Sequence, residues 1–273
     1  MKLSKNHSLL TYLCLMFFSV YFMAPFLWML ITALKSPSEV NSYPPTFVPR
    51  AAQWKNFADA WASQPFGIYL KNSVIVTVLT TFGQVISCSF IAFGFARYDF
   101  KFKNFFFMLL LASMMLPWDV TMIPQYMLFN KIGWINTLKP LIVPAFFGSP
   151  YYIFLLRQFL MNIPTDIENA ARIDGANDFQ IYYRIFFPIM KAPLFLIGIL
   201  NMLTVWNDYL GPLIFLQDRS KYTLALGLAS FKGVNDLNII PIMCITILMI
   251  VPPVVAFFFA QKYIIEGVSG AVK

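Results

Sequence analysis

Histidine, the side chain most often recruited for proton transfer and metal ligation, occurs once in this sequence, at His7. A histidine-based catalytic pair or metal cluster therefore has no second member. Cys14, Cys88 and Cys244 lie far apart inside apolar runs, spaced for neither a metal site nor a disulfide framework. No carboxylates pair at one depth, and no Gly-x-x-x-x-Gly-Lys-Ser/Thr loop offers backbone amides to ATP phosphates. Conventional hydrolytic chemistry is therefore not expected of this chain. The informative polar residues belong instead to docking and passage.

The first group reads Asn162-Ile-Pro-Thr-Asp-Ile-Glu-Asn-Ala-Ala-Arg-Ile-Asp-Gly-Ala-Asn-Asp-Phe-Gln. Thr165 with Glu168 three positions on predicts a capping box and a helix start. Gly175 predicts the stop, because glycine takes the left-handed conformation that a helix end needs. Asn177 with Gln180 repeats the start signal, and Phe179, Tyr182, Tyr183, Phe186 and Phe187 supply an apolar stripe before Pro188. A first helix of about nine residues is too short to hold alone, since isolated helices below about 12 to 15 residues are marginal in water. It needs a partner surface. Ala170 and Ala171 offer close backbone approach, and Arg172 and Asp174 give the rim polar groups. For Glu168 two readings coexist, a cap and a docking contact.

The second group is scattered. Trp206-Asn207-Asp208 puts a charge into an apolar run, which points to a pathway or a buried partner. Asn201 lies one and a half turns earlier. Asp119 follows Pro117 and Trp118, and Tyr151 and Tyr152 follow Pro150. Flat aromatic faces with amides and carboxylates suit a sugar, and aromatic clusters are equally ordinary membrane packing, so both readings stand.

These residues sit in a chain of 273 residues that is 59% hydrophobic and 12% charged, with a mean hydropathy of +0.68. That excludes a soluble globular domain. A helix needs about 20 apolar residues to cross about 30 Å of hydrocarbon. Six runs qualify, near Leu9–Leu34, Leu70–Ala96, Phe105–Phe129, Leu138–Leu160, Leu194–Leu216 and Ile239–Tyr263. None alternates as a barrel strand does, so the expected fold class is all-α: a polytopic membrane protein with six transmembrane helices and a helix-Gly-helix loop. The first run follows Lys2 and Lys5, is too long for a signal peptide and lacks a cleavage site, so it reads as a retained helix. Counting basic residues gives eleven inside against nine outside when both termini are cytoplasmic. The formal net charge of +8 is scattered over loops and helix ends, which suits membrane flanks and not nucleic acid. Lys35 to Tyr69, rich in proline and carrying Trp54 and Trp61, reads as an ordered extracytoplasmic loop whose aromatics sit at headgroup level or meet a partner. Prolines such as Pro117, Pro144, Pro212 and Pro252 predict kinks. The expected segments are 1–69 (first helix and loop), 70–263 (core, with the coupling loop at 162–192) and 264–273 (tail).

The stretch Glu168-Asn169-Ala170-Ala171, with Gly175 and Pro188, resembles the Glu-Ala-Ala loop of binding-protein-dependent ABC permeases, Asn169 standing where alanine is commonest. Asn72-Ser73, Ala96-Arg97-Tyr98, Met115-Leu116-Pro117, Ile123-Pro124, Arg157-Gln158-Phe159 and Trp206-Asn207-Asp208 extend the resemblance over nearly the whole chain. The ending Gly270-Ala271-Val272-Lys273 is similar to the maltose-transporter type, the second of two permease subunits. The resemblance implies a bacterial inner-membrane importer of a carbohydrate, or of glycerol phosphate or another polyol derivative. It implies a paralogous permease as heterodimer partner, two ATPase subunits and an extracytoplasmic solute-binding protein. It also implies no cofactor on this chain, ATP and Mg being used by the ATPase subunits. Glu168, Ala170, Ala171, Arg172, Asp174 and Gly175 would receive the ATPase movement. An ion-coupled secondary transporter is the rival; it usually shows several buried ionisable residues and inverted repeats, which are not evident here.

Overall fold

The computed structural model describes residues 5–231 and 238–270, with the side chains of 11–231 and 238–261. Lys2 and the tail residues Ala271, Val272 and Lys273 lie outside the described residues. All regular elements among those described are helical. Four helices are long and apolar enough to cross a membrane: Thr11–Ala33, Phe66–Arg97, Lys139–Met161 and Ile239–Gln261. Two bent pairs bring the number to six when each is counted as one span: Lys103–Ser113 with Trp118–Lys131 at 98°, and Asp178–Ile189 with Lys191–Trp206 at 75°.

Each expected run therefore has a counterpart, with three departures. The third is broken where Pro117 takes extended backbone (φ −64°, ψ 145°) and has no N–H to continue the ladder. The fourth is composite: Lys139–Ile142, a 3₁₀ segment Val143–Phe147, and a restart at Pro150–Met161, with proline in the first helical position where a missing N–H costs nothing. The fifth stops at Trp206 instead of running to Leu216. There Asn207 Nδ2 donates to the Leu203 carbonyl at 2.8 Å and Asp208 Oδ1 accepts the Gly211 N–H at 3.1 Å. Short polar side chains thus compete with the helix for its own backbone. At the other end of the chain, the helix that begins at Ile239 runs on to Gly270.

The chain divides into two compact units, Met1–Phe66 with Leu228–Val251, and Gly67–Gly227 with Pro252–Lys273. In the first unit the long helix Lys5–Ala33 carries exposed apolar side chains from Tyr12 through Leu30, as a lipid-facing helix does. Asn56 closes its end by donating Nδ2 to the Ala33 and Lys35 carbonyls at 2.8 and 2.9 Å. The following loop is ordered around Glu39, whose carboxylate accepts the backbone N–H of Ser36 (3.0 Å) and of Arg50 (2.8 Å) and the Ser36 hydroxyl (2.9 Å). Lys35 donates to the Thr46 carbonyl and lies 4.7 Å from the Trp28 ring centroid.

The second unit is built on the Phe66–Arg97 helix. Near its start, Asn72 Nδ2 donates to the Ser220 and Tyr222 carbonyls, both at 3.0 Å, and Ser73 Oγ accepts the Leu224 N–H at 2.8 Å. Toward its Arg97 end, Cys88, Ala92 and Phe93 join Leu156 and Leu160 of Pro150–Met161 and Ile197 of Lys191–Trp206 in one core. Ala171, Ile181, Tyr182 and Phe186 of the intervening loop belong to that same core, which is what holds the loop in place.

Candidate functional site

The loop's first helix is Asp166–Ile173. Its start differs from the expected capping box. Thr165 has helical backbone (φ −70°, ψ −18°) and makes no side-chain cap bond. Glu168 points along the helix instead and accepts from Arg172, Nη2 at 2.9 Å and Nε at 3.3 Å. The guanidinium one turn ahead offers the carboxylate two N–H donors and a full opposite charge, where the cap would offer a single N–H without a net charge. The helix end follows expectation. Gly175 has φ +81°, its N–H donates to the Arg172 carbonyl at 3.1 Å, and the Ala176 N–H donates to the Ala171 carbonyl at 3.0 Å. This is the paired-bond Schellman ending, which satisfies two otherwise orphaned carbonyls.

The second helix starts on the expected reciprocal cap: Asn177 Oδ1 accepts the Gln180 N–H and Gln180 Oε1 accepts the Asn177 N–H, both at 2.9 Å. It then widens to a π-helix over Ile181–Phe186 before Phe187–Ile189. The wider turn, hydrogen-bonded over five residues, brings Ile181 and Phe186 nearer to one face than an α-helix would, and both are fully buried. The expected aromatic stripe splits accordingly: Tyr182 and Phe186 enter the core, whereas Phe179 and Tyr183 are exposed.

On the Asp166–Ile173 helix the exposed residues include Ala170, Asp174 at its end, and Ile173, which is 86% exposed. Ala171 is buried in the core and gives no docking surface, correcting the expectation that both alanines would. Arg172 is not a free rim group either. Its Nη1 pairs with Asp178 at 2.7 Å while Nη2 holds Glu168 at 2.9 Å, so one guanidinium spans the Gly175 turn. The Glu168 hydrogen bond, with Asp178 beside it, raises the Arg172 pKa further above its ordinary value. Tyr98 stands beside Asp178 and Arg172, and burial first, then the Asp178 charge, pushes its phenol up. Arg97 Nη2 donates to the Leu160 and Ile163 carbonyls at 2.7 and 2.9 Å, with its guanidinium 4.6 Å from the Phe186 ring centroid. Sequence reasoning did not place Arg97, Tyr98 and Asp178 in this cluster; the signal for the first two was Ala96-Arg97-Tyr98 in the resemblance, and for Asp178 its place beside the Asn177 cap.

Of the residues expected on a substrate path, two come together. A cavity of about 950 Å³ lies between Phe66–Arg97 and Lys191–Trp206, and Trp206 lines it together with Thr77, Thr81, Phe82 and Lys191. Asn201, 6% exposed, donates Nδ2 to Thr81 Oγ1 at 3.1 Å. The wall is predominantly apolar. The hydroxyl of Thr77, itself 5% exposed, has no hydrogen-bond partner among the described residues. Thr77 and Thr81 went unnoticed in the sequence, although threonines four apart in an apolar run mark one helix face. The other expected residues are elsewhere. Asp119 is exposed on the first turn of Trp118–Lys131. Tyr152 is core, with Tyr151 packed against it at 5.6 Å between ring centroids. Asn207 and Asp208 serve the local backbone, and Gly211 leaves room for the Asp208 carboxylate, which a Cβ there would meet at 2.5 Å.

The chain's relatives bear on this arrangement. Residues 88–270 match the family described as binding-protein-dependent transport system inner membrane component. A putative ABC transporter permease protein of Caldicellulosiruptor sp. strain Rt8B.4 is 36% identical over 251 residues, 91% of each chain. An arabinooligosaccharides transport system permease protein of Bacillus subtilis is 33% identical over 264 residues, 94% of this chain and 93% of that one. A melibiose/raffinose/stachyose import permease protein of the same organism is 32% identical over 252 residues, 91% of each. In fold, the chain is similar to a bacterial ABC transporter involved in the import of the acidic polysaccharide alginate, with a TM-score of 0.83 at 20% identity, over 97% of this chain and 99% of that one. With its membrane-spanning helices and the helix-Gly-helix loop set into their core, the chain belongs to the binding-protein-dependent ABC transporter permeases.

Proposed function

We propose that this chain is the permease subunit of an ATP-driven carbohydrate importer in the bacterial cytoplasmic membrane. The observation that carries the coupling role is the Asp166–Ile173 helix, which buries Ala171 in the transmembrane core and presents Ala170 and Ile173 outward. An isoleucine held 86% exposed on a helix closed by the Gly175 ending suits a partner's apolar cleft. That partner is an ATPase subunit. Two of them bind and hydrolyse ATP with Mg, one against this loop and one against a paralogous permease, while this chain binds no cofactor itself. The loop faces the cytoplasm with both termini, and a solute-binding protein delivers the sugar on the opposite side.

Closure of the ATPase pair moves the docked helix, and the core residues it shares with Phe66–Arg97 pass that movement to the wall of the cavity, a two-state rigid-body transition biased from a remote site. Asn201, Trp206, Thr77 and Thr81 line or brace the passage. Their few polar groups give this chain little means to select a sugar, leaving selection to the binding protein. Carbohydrate as the solute is supported by relatives named for arabinooligosaccharides and for melibiose, raffinose and stachyose.

The test is purification of the tagged protein from native membranes beside an Ile173→Asp variant. Wild type brings with it a second permease and an ATPase whose activity rises with sugar-loaded binding protein; Ile173→Asp loses the ATPase. A protein that purifies alone and moves sugar down an ion gradient without ATP overturns the proposal.

A further inference from the structure

The ion pairs of Arg172 run across the loop, from its own helix to the next. Its guanidinium joins Glu168, on its own helix, to Asp178, on the next, at 2.9 and 2.7 Å. Tyr98, one residue beyond the Phe66–Arg97 helix, stands beside both Arg172 and Asp178. Arg97, its last residue, donates Nη2 to the carbonyls of Leu160 and Ile163 just before the loop. The Arg97 Nε is buried without a hydrogen-bond partner among the described residues.

We propose that Arg172 is a positioning residue: the pivot of an internal lock, with Arg97, Tyr98, Glu168 and Asp178, that makes the Asp166–Ile173 helix and the end of the Phe66–Arg97 helix move as one body. This rests on the coupling role proposed above. An isolated pair between half-exposed side chains contributes little, and the side chains of Arg172 and Asp178 are 43% and 53% exposed. Three features lift this cluster above that case. The Glu168 side chain is only 11% exposed, so its charge is weakly screened. The arginine fork is shared between two acids, which fixes its geometry as a single contact does not. The eight-residue helix cannot keep its orientation by its own hydrogen bonds, and it sets only Ala171 into the apolar core, so side-chain ties decide how it turns about that contact. Without the lock, part of a push on Ile173 would be lost in turning the short helix about Ala171 and the Gly175 turn; with it, the push passes whole into the shared core and on to the wall of the cavity.

The experiment uses the whole complex in proteoliposomes, with ATPase subunits, sugar and binding protein, and reads sugar moved per ATP hydrolysed together with ATPase retention on purification. Arg172→Gln and Asp178→Asn each keep the ATPase subunits and lower sugar per ATP by about tenfold, and the double variant is no worse than the poorer single, because both remove the same tie. Arg172→Lys, which holds one acid at a time, falls between, and also serves if Arg172→Gln fails to fold. Unaltered sugar per ATP in Arg172→Lys and Asp178→Asn overturns the lock. So does loss of the ATPase from Arg172→Gln to the degree seen with Ile173→Asp, which would make Arg172 a docking contact. Retention of the ATPase by Ile173→Asp counts against the docking reading alone and leaves the lock's own readout intact.

Discussion

Gly175 holds φ at +81°, and a Cβ built there meets nothing within 4 Å, so the demand for glycine is conformational and not steric. That distinction yields a graded series. An ordinary L-residue in the left-handed region costs about 1 to 2 kcal/mol, and asparagine, whose side chain supports that conformation, costs less. Gly175→Asn is expected to retain most sugar-stimulated ATPase activity of the reconstituted complex, Gly175→Ala to lose part, and Gly175→Val, β-branched, to lose most. Equal activity in Asn and Val variants would mean that the turn is remade in another conformation. Gly175 and the Asn177–Gln180 cap were legible in the sequence because each depends on its own few residues. The Thr165–Glu168 box was misread because its outcome depended on Arg172, an ion partner one turn on, and on the backbone at Thr165, which is helical where a capping residue is extended.

At the scale of the element, the Phe66–Arg97 helix is bolted at both ends: Asn72 and Ser73 hold the 220–224 segment, and Arg97 holds the carbonyls before the loop. Asn72 is 8% exposed, so Asn72→Ala leaves the Ser220 and Tyr222 carbonyls without their buried donor, at a cost of about 1 to 3 kcal/mol. Thermal unfolding of the detergent-solubilised protein should show a lowered midpoint for Asn72→Ala, and no shift would mean that water or another donor replaces the amide. The positions of membrane crossings were readable because hydrocarbon sets a length and forbids unpaired backbone, constraints that composition alone reveals. The break at Pro117 was foreseeable as a kink, though its 98° angle depends on how the flanking helices pack. The π segment over Ile181–Phe186 was not readable. An aromatic stripe spaced three and four apart fits an α-helix equally well, and only the core that receives Ile181 and Phe186 together selects the wider turn.

For the molecule as a whole, the two units rest on different kinds of polar centre, and this separates their responses to acid. The loop of the first unit converges on Glu39, whose pKa is held down at about 2, against an ordinary value of 4.5, chiefly by the Ser36 backbone N–H and then by that of Arg50. A carboxyl group depressed in the folded state contributes stability that is complete above its unfolded value and is lost as pH falls through its folded one. The loop should therefore be indifferent to pH from 8 down to about 5 and loosen between about 4.5 and 2. Glu39→Gln removes the charge that the two N–H groups were gathered around, so its loop should be loose throughout. Pepsin, active over the acid range, provides the readout: wild type is expected to resist nicking between Lys35 and Gln53 at pH 4 and yield near pH 2, while Glu39→Gln yields at both. Because each pH compares two variants under one protease activity, the difference between them isolates the carboxylate. Equal resistance of the two at pH 4 would show that the loop is held by the Asn56 ties to the helix end and the Lys35 bond to Thr46, and not by Glu39.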